Sequence, residues 1–98
     1  VSRTARILAF GKSPGTVAKG VALLNAMGFD ADGVVSLDAA ADCLAASPYD
    51  LVVIGGGVGK QERAGLRELL RSRSMTPPVI EVRGLGNLPA AVRTALGT

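Results

Sequence analysis

The chain has 98 residues, 48% of them apolar but only 3% aromatic, and a formal charge of +3. That is enough apolar content for the core of one small domain, built from Ala, Val, Leu and Ile rather than from rings. There is no histidine and one cysteine, Cys43, which excludes a His-dependent triad, histidine acid–base catalysis, an internal disulfide and a zinc site of the usual kind.

Strand and helix patterns alternate along residues 1–98 with no repeat, low-complexity segment or linker, so a single domain is expected. Ile7 to Phe10 reads as the first strand. Ser13-Pro14 then offers an N-cap followed by proline at the first helical position. Val17, Val21, Leu24 and Met27 recur at helical spacing, with Gly20 beside the stripe to let the helix approach a sheet and Gly28 placed to end it. Phe29 to Ser36 is a weaker strand, polar on alternate positions and broken by Gly33, as an edge strand would be. The next helix, roughly Asp38 to Ala46, turns Leu37, Ala40, Ala41 and Leu44 inward, with Cys43 off the centre of that face. No neighbour in sequence would activate Cys43, so it reads as a small semi-buried residue.

Tyr49-Asp-Leu-Val-Val-Ile-Gly-Gly-Gly-Val-Gly59 is the most informative stretch. Leu51 to Ile54 is a short, β-branched apolar run that reads as a buried central strand. It opens into a glycine-rich exit, where an α/β domain places its site. A helix from about Lys60 to Ser72 follows, burying Leu66, Leu69 and Leu70. Val79 to Val82 reads as the fourth strand, with Glu81 marking a face or edge that is not fully buried. Asn87 is placed to cap a last helix carrying Leu88, Val92 and Leu96, closed by Gly97. Right-handed crossovers between parallel strands put such helices on both faces of the sheet. The expected fold is therefore a small three-layer α/β/α sandwich.

Residues 6 to 83 resemble the receiver domain of bacterial two-component response regulators. The resemblance rests on Ile7-Leu-Ala-Phe10, Leu23-Leu-Asn-Ala-Met-Gly-Phe29, Leu44-Ala-Ala-Ser-Pro-Tyr-Asp-Leu-Val-Val-Ile54 and Pro77-Pro-Val-Ile80. It implies a flavodoxin-like sheet with strand order 2-1-3-4. The family's functional positions do not carry over. Its magnesium-binding acidic pair falls on Gly11 and Lys12, its phosphoacceptor aspartate on Gly55, and its hydroxyl residue on Arg83. The family's fifth strand has no counterpart. Aspartyl phosphorylation needs a carboxylate nucleophile and a metal to offset phosphoryl charge, so the resemblance implies a pseudo-receiver.

The glycine exit is also similar to the dinucleotide fingerprint of FAD and NAD enzymes. Gly55 and Gly57 match its first two glycines and Glu81 its acidic residue, but Lys60 stands where the third glycine belongs.

Two surface sets follow. Gly11, Lys12, Ser13, Gly55, Gly56, Gly57, Gly59, Lys60 and Arg83 gather at the sheet's carboxyl edge as a candidate anion-binding set. Val79, Ile80, Val82 and Val92 form a candidate interaction set, since the fourth strand would be a bare edge beside the last helix. The stripe Lys60, Arg63, Arg67, Arg71 reads as a solvated face diluted by Glu62 and Glu68, so nucleic acid is not expected as a partner. Asp30, Asp32, Asp38 and Asp42 lack calcium-loop spacing and read as surface charge and caps. No residue is assigned a catalytic role, and no metal or cofactor is expected.

No apolar stretch approaches the roughly 20 residues of a membrane span, and the start of the chain shows no signal-peptide core, so a cytoplasmic setting is expected. The leading functional reading is a non-enzymatic regulatory or protein-interaction domain that dimerises or docks on another protein. The alternative is a module binding an anionic small molecule or nucleotide at the carboxyl edge.

Overall fold

The computed structural model describes residues 5–46, 49–55, 57–73, 78–82 and 86–97. Within them the elements alternate as β1 (Arg6–Phe10), α1 (Pro14–Ala26), β2 (Asp30–Val34), α2 (Leu37–Ala46), β3 (Leu51–Gly55), α3 (Lys60–Ser72), β4 (Val79–Val82) and α4 (Leu88–Leu96). The strands are all parallel, in the order β2-β1-β3-β4, which makes a flavodoxin-like sandwich. β1 and β3 occupy the centre, with Ile7 beside Leu51 and Phe10 beside Ile54. The chain reverses direction across the sheet between them, which creates a topological switch point.

Alternation along each central strand divides the core in two. Leu8, Phe10, Val52 and Ile54 pack with Leu44, Leu66 and Leu70 under α2 and α3. Ile7, Leu51 and Val53 pack with Leu24, Leu88 and Val92 under α1 and α4. On β4, Val82 and Ile80 join the α4 side, whereas Glu81 turns the other way and is bound by Arg63 and Arg67 of α3. This accounts for a charge in an otherwise apolar strand and draws two cations out of the α3 stripe. Arg71 faces Glu68 at 3.6 Å.

Helix ends follow local chemistry with two departures, since neither Ser13 at α1 nor Asn87 at α4 bonds its helix through the side chain. Gly28 (φ +94°) and Gly97 (φ +74°) adopt the left-handed conformation after α1 and α4. The Ser36 hydroxyl accepts a 3.1 Å bond from the Ala39 N–H at the start of α2. Asn87 occupies the cap position of α4 but has helical backbone angles and no side-chain bond to the helix, so the expected cap is not formed. In α2 the inward face is Leu37, Ala40 and Leu44 flanked by Ala39 and Cys43, not by Ala41.

At the amino edge of the sheet, Arg6 draws three strands together. Its guanidinium lies 3.3 Å from Asp30 and 3.6 Å from Asp32, and 5.2 Å from the Tyr49 ring centre. Its backbone N–H donates to the Asp50 carboxylate at 2.9 Å. The Tyr49 hydroxyl donates to Asp32 at 2.7 Å. Asp30 and Asp32, expected to be plain surface charge, therefore fasten β2 to β1 and to the start of β3.

Burial raises the Tyr49 pKa above its ordinary value, followed by the hydrogen bond to Asp32, the charge of Asp32 and a contribution from Cys43. The unfolded chain thus releases this proton first. The stability Tyr49 contributes is complete below about pH 10 and declines as pH rises beyond it. Tyr49 is the one tyrosine and there is no tryptophan, so tyrosinate absorbance reports it alone. The expected result is no ionisation near pH 10 while the circular dichroism stays native, and ionisation together with unfolding at higher pH. A native protein that titrates at the ordinary value would contradict the burial.

Candidate functional site

The side chains that β1 and β3 direct toward α1 and α4 shrink along the strands. β1 runs Ile7, Ala9 and is followed by Gly11, and β3 runs Leu51, Val53, Gly55. On the opposite face Leu8, Phe10, Val52 and Ile54 stay large and are buried. The amino half of the α1/α4 layer is therefore filled, and the carboxyl half is not. Gly20 on α1 adds no side chain from above and is itself buried. The result is a crevice of about 210 Å³ at the carboxyl ends of β1 and β3, walled by Ala9, Val17, Val53, Val82 and Leu88 and rimmed by Lys12, Ser13 and Thr16. It lies at the switch point, where open α/β sheets hold their ligands.

Close packing defines one wall. A Cβ at Gly33 would stand 2.5 Å from Val17 Cγ1 and 2.8 Å from Val21 Cγ2, and one at Gly11 would stand 2.6 Å from Val17 Cγ2. Val17 is thus seated between two glycines of neighbouring segments. That seating lets α1 lie against β2 and β1 and sets the position of the crevice wall.

The rim is polar, and among the described residues it contains no carboxylate, thiol or imidazole. Ser13 holds the cap position of α1 without spending its hydroxyl on the helix, and Ser13, Thr16 and Lys12 are all exposed. The Lys12 ammonium lies 3.7 Å from Glu62 of α3, with 67% of the lysine side chain exposed. An exposed pair of this kind contributes little to stability. Glu62 belongs to the first turn of α3, near Gly59, where a negative charge complements the helix terminus. Among the described residues, the glycine loop after β3 is therefore served by its own carboxylate, while the first turn of α1 carries no acidic residue.

Of the expected anion-binding set, Gly11, Lys12, Ser13, Gly55 and Gly57 line the crevice. Gly59 and Lys60 begin α3 and do not line it. Gly56 and Arg83 fall outside the described residues. Part of the glycine exit serves packing: the Val58 N–H donates to the Gly55 carbonyl at 3.2 Å, and Val58 is buried under α2 and α3. Sequence reading missed Ala9, Thr16, Val53, Val82 and Leu88 as crevice residues. The decreasing side-chain size at alternate strand positions was the signal for the first part of that wall.

The candidate interaction set divides. Val92, on the inner face of α4, and Val82, on β4 beneath it, are both buried, and Val82 borders the crevice. Val79 and Ile80 are half-buried on β4, which pairs with β3 alone among the described residues.

No family model matches the chain, and no curated protein shows significant similarity to it.

Proposed function

We propose that the chain is a non-enzymatic, receiver-like regulatory module of the cytoplasm whose signal is a small molecule held in the crevice at the carboxyl ends of β1 and β3. The observation that carries this reading is the crevice itself, an apolar recess at the switch point with one polar rim. Its chemistry favours binding over catalysis. A hydroxyl nucleophile needs a base beside it; among the described residues the lining supplies no carboxylate or imidazole, and the Lys12 amine is an exposed ammonium paired with Glu62.

The test is a fragment screen on the isotope-labelled chain, read by amide chemical shifts. Saturable shifts at Gly11, Ser13, Thr16, Gly20 and Gly55, together with a rise in melting temperature by mass action, are expected. A screen whose hits never reach these amides removes the reading.

A second reading, association through β4, is favoured by the half-buried Val79 and Ile80 on an edge strand. Sedimentation of the unmodified protein separates the two: mass rising with concentration supports a dimer, and a constant monomer mass counts against one. β4 has four residues and carries Glu81, and short length and charge are the features that discourage edge pairing. The crevice therefore stands first.

A further inference from the structure

We infer that the crevice selects a small monocarboxylate with one compact apolar tail, a single ring or branched chain, and excludes nucleotides. This rests on the ligand-binding reading above and names the ligand class.

Size sets the first limit. At about 210 Å³, the crevice exceeds the roughly 150 Å³ apolar cavity that takes up benzene. It remains below the about 300–1,000 Å³ of pockets for drug-sized ligands. One ring or one branched chain fits within it; a base, ribose and phosphates together exceed it and would lie partly outside the apolar walls. The acidic residue that a dinucleotide site would turn to a ribose is also absent from the crevice. Glu81 points to the opposite layer and is held by Arg63 and Arg67.

The walls set the second limit. Ala9, Val17, Val53, Val82 and Leu88 present hydrocarbon, so a polar group on the deep end of a ligand would lose its water and gain no partner. Among the described residues, polar side chains gather at the mouth, where Lys12, Ser13 and Thr16 supply an ammonium and two hydroxyls.

The charge of that mouth gives the third. A carboxylate there exchanges with Glu62 as the partner of Lys12, replacing an exposed 3.7 Å pair with charge-assisted hydrogen bonds beside apolar walls. A ligand ammonium would meet Lys12 instead. An alcohol fits the same space without the charge.

The experiment compares phenylacetate, 2-phenylethanol and phenethylamine, which share a tail and differ at the end group, with ATP as a fourth probe on the full chain. Amide shifts at Gly11, Thr16, Gly20 and Gly55 locate binding, and their titration gives affinity. Phenylacetate is expected to bind about tenfold or more tightly than the alcohol, the amine more weakly still, and ATP not at all in the crevice. Lys12→Met should bring phenylacetate to within about twofold of the alcohol by removing the charged donor. Ala9→Val adds two methyl groups to the recess and should weaken phenylacetate by about tenfold or more in a protein that still unfolds cooperatively.

If the alcohol or amine binds at these amides as tightly as the acid, the carboxylate inference falls and the ligand-binding reading survives. If none of the three moves them at millimolar concentration, the carboxylate inference falls, while the ligand-binding reading stands or falls on the fragment screen. A folded Ala9→Val protein that binds phenylacetate unchanged would also overturn the inference.

Discussion

Val52→Asp is expected to abolish the cooperative unfolding transition. Val52 is fully buried, flanked in register by Leu8 on β1 and Val79 on β4, and covered by the α2/α3 layer. Substitution removes an apolar side chain whose burial is worth about 1.5–3 kcal/mol. It also places a carboxylate where no cation of the described core faces it, at a cost of several kcal/mol more. Domains hold only about 5–15 kcal/mol of net stability, and a chain this small belongs near the lower end. Guanidinium titration followed by circular dichroism should show no sigmoidal transition. Val53→Asp, one position along, turns toward α1 and α4 and borders the open crevice. Val53 is only 3% exposed, so a carboxylate there is also largely dehydrated, but it borders the crevice rather than the closed α2/α3 layer, and a smaller loss than for Val52→Asp is expected. The reverse ranking would show that the two faces of β3 have been exchanged.

Gly33→Ala is expected to lower the melting temperature by about 10 °C, on the basis of roughly 1–3 kcal/mol for overpacking and about 4–8 °C per kcal/mol in a domain of this size. The new methyl would lie 2.5 Å from Val17 Cγ1 and 2.8 Å from Val21 Cγ2. A helical valine has one strongly preferred rotamer and cannot swing clear. Val17 is also confined from the Gly11 side, so the strain must lift α1. Val17→Ala in the Gly33→Ala background should recover part of the loss, with a coupling of about 0.5–3 kcal/mol in a double-mutant cycle. Additive effects would show that the helix does not rest on this glycine. Val17 also walls the crevice, so the same lift should weaken any ligand seated there.

Much of the architecture was legible locally. The bounds of α3 at Lys60 and Ser72 and of β4 at Val79 and Val82 follow from apolar periodicity and from prolines and glycines that end elements. The run Leu51 to Ile54 required cover on both faces, which placed β3 inside the sheet. Parallel connections with short loops then left few strand orders, and the observed β2-β1-β3-β4 is the one the receiver resemblance implies.

The crevice was legible only in part. Gly11, Lys12, Ser13, Gly55 and Gly57 could be gathered at one edge because residues that follow parallel strands share that edge. The shrinking series Ile7-Ala9-Gly11 and Leu51-Val53-Gly55 is likewise written in the chain. Its meaning depends on which helices cover that face, and on Val82 and Leu88 arriving from elements far along the sequence. The same holds for Gly33 beneath Val17, Glu81 between Arg63 and Arg67, and Tyr49 against Asp32. Local propensity specifies where each element begins and ends and which face is apolar. The side chains that meet across two elements are set by register and helix seating, which depend on packing the whole core at once.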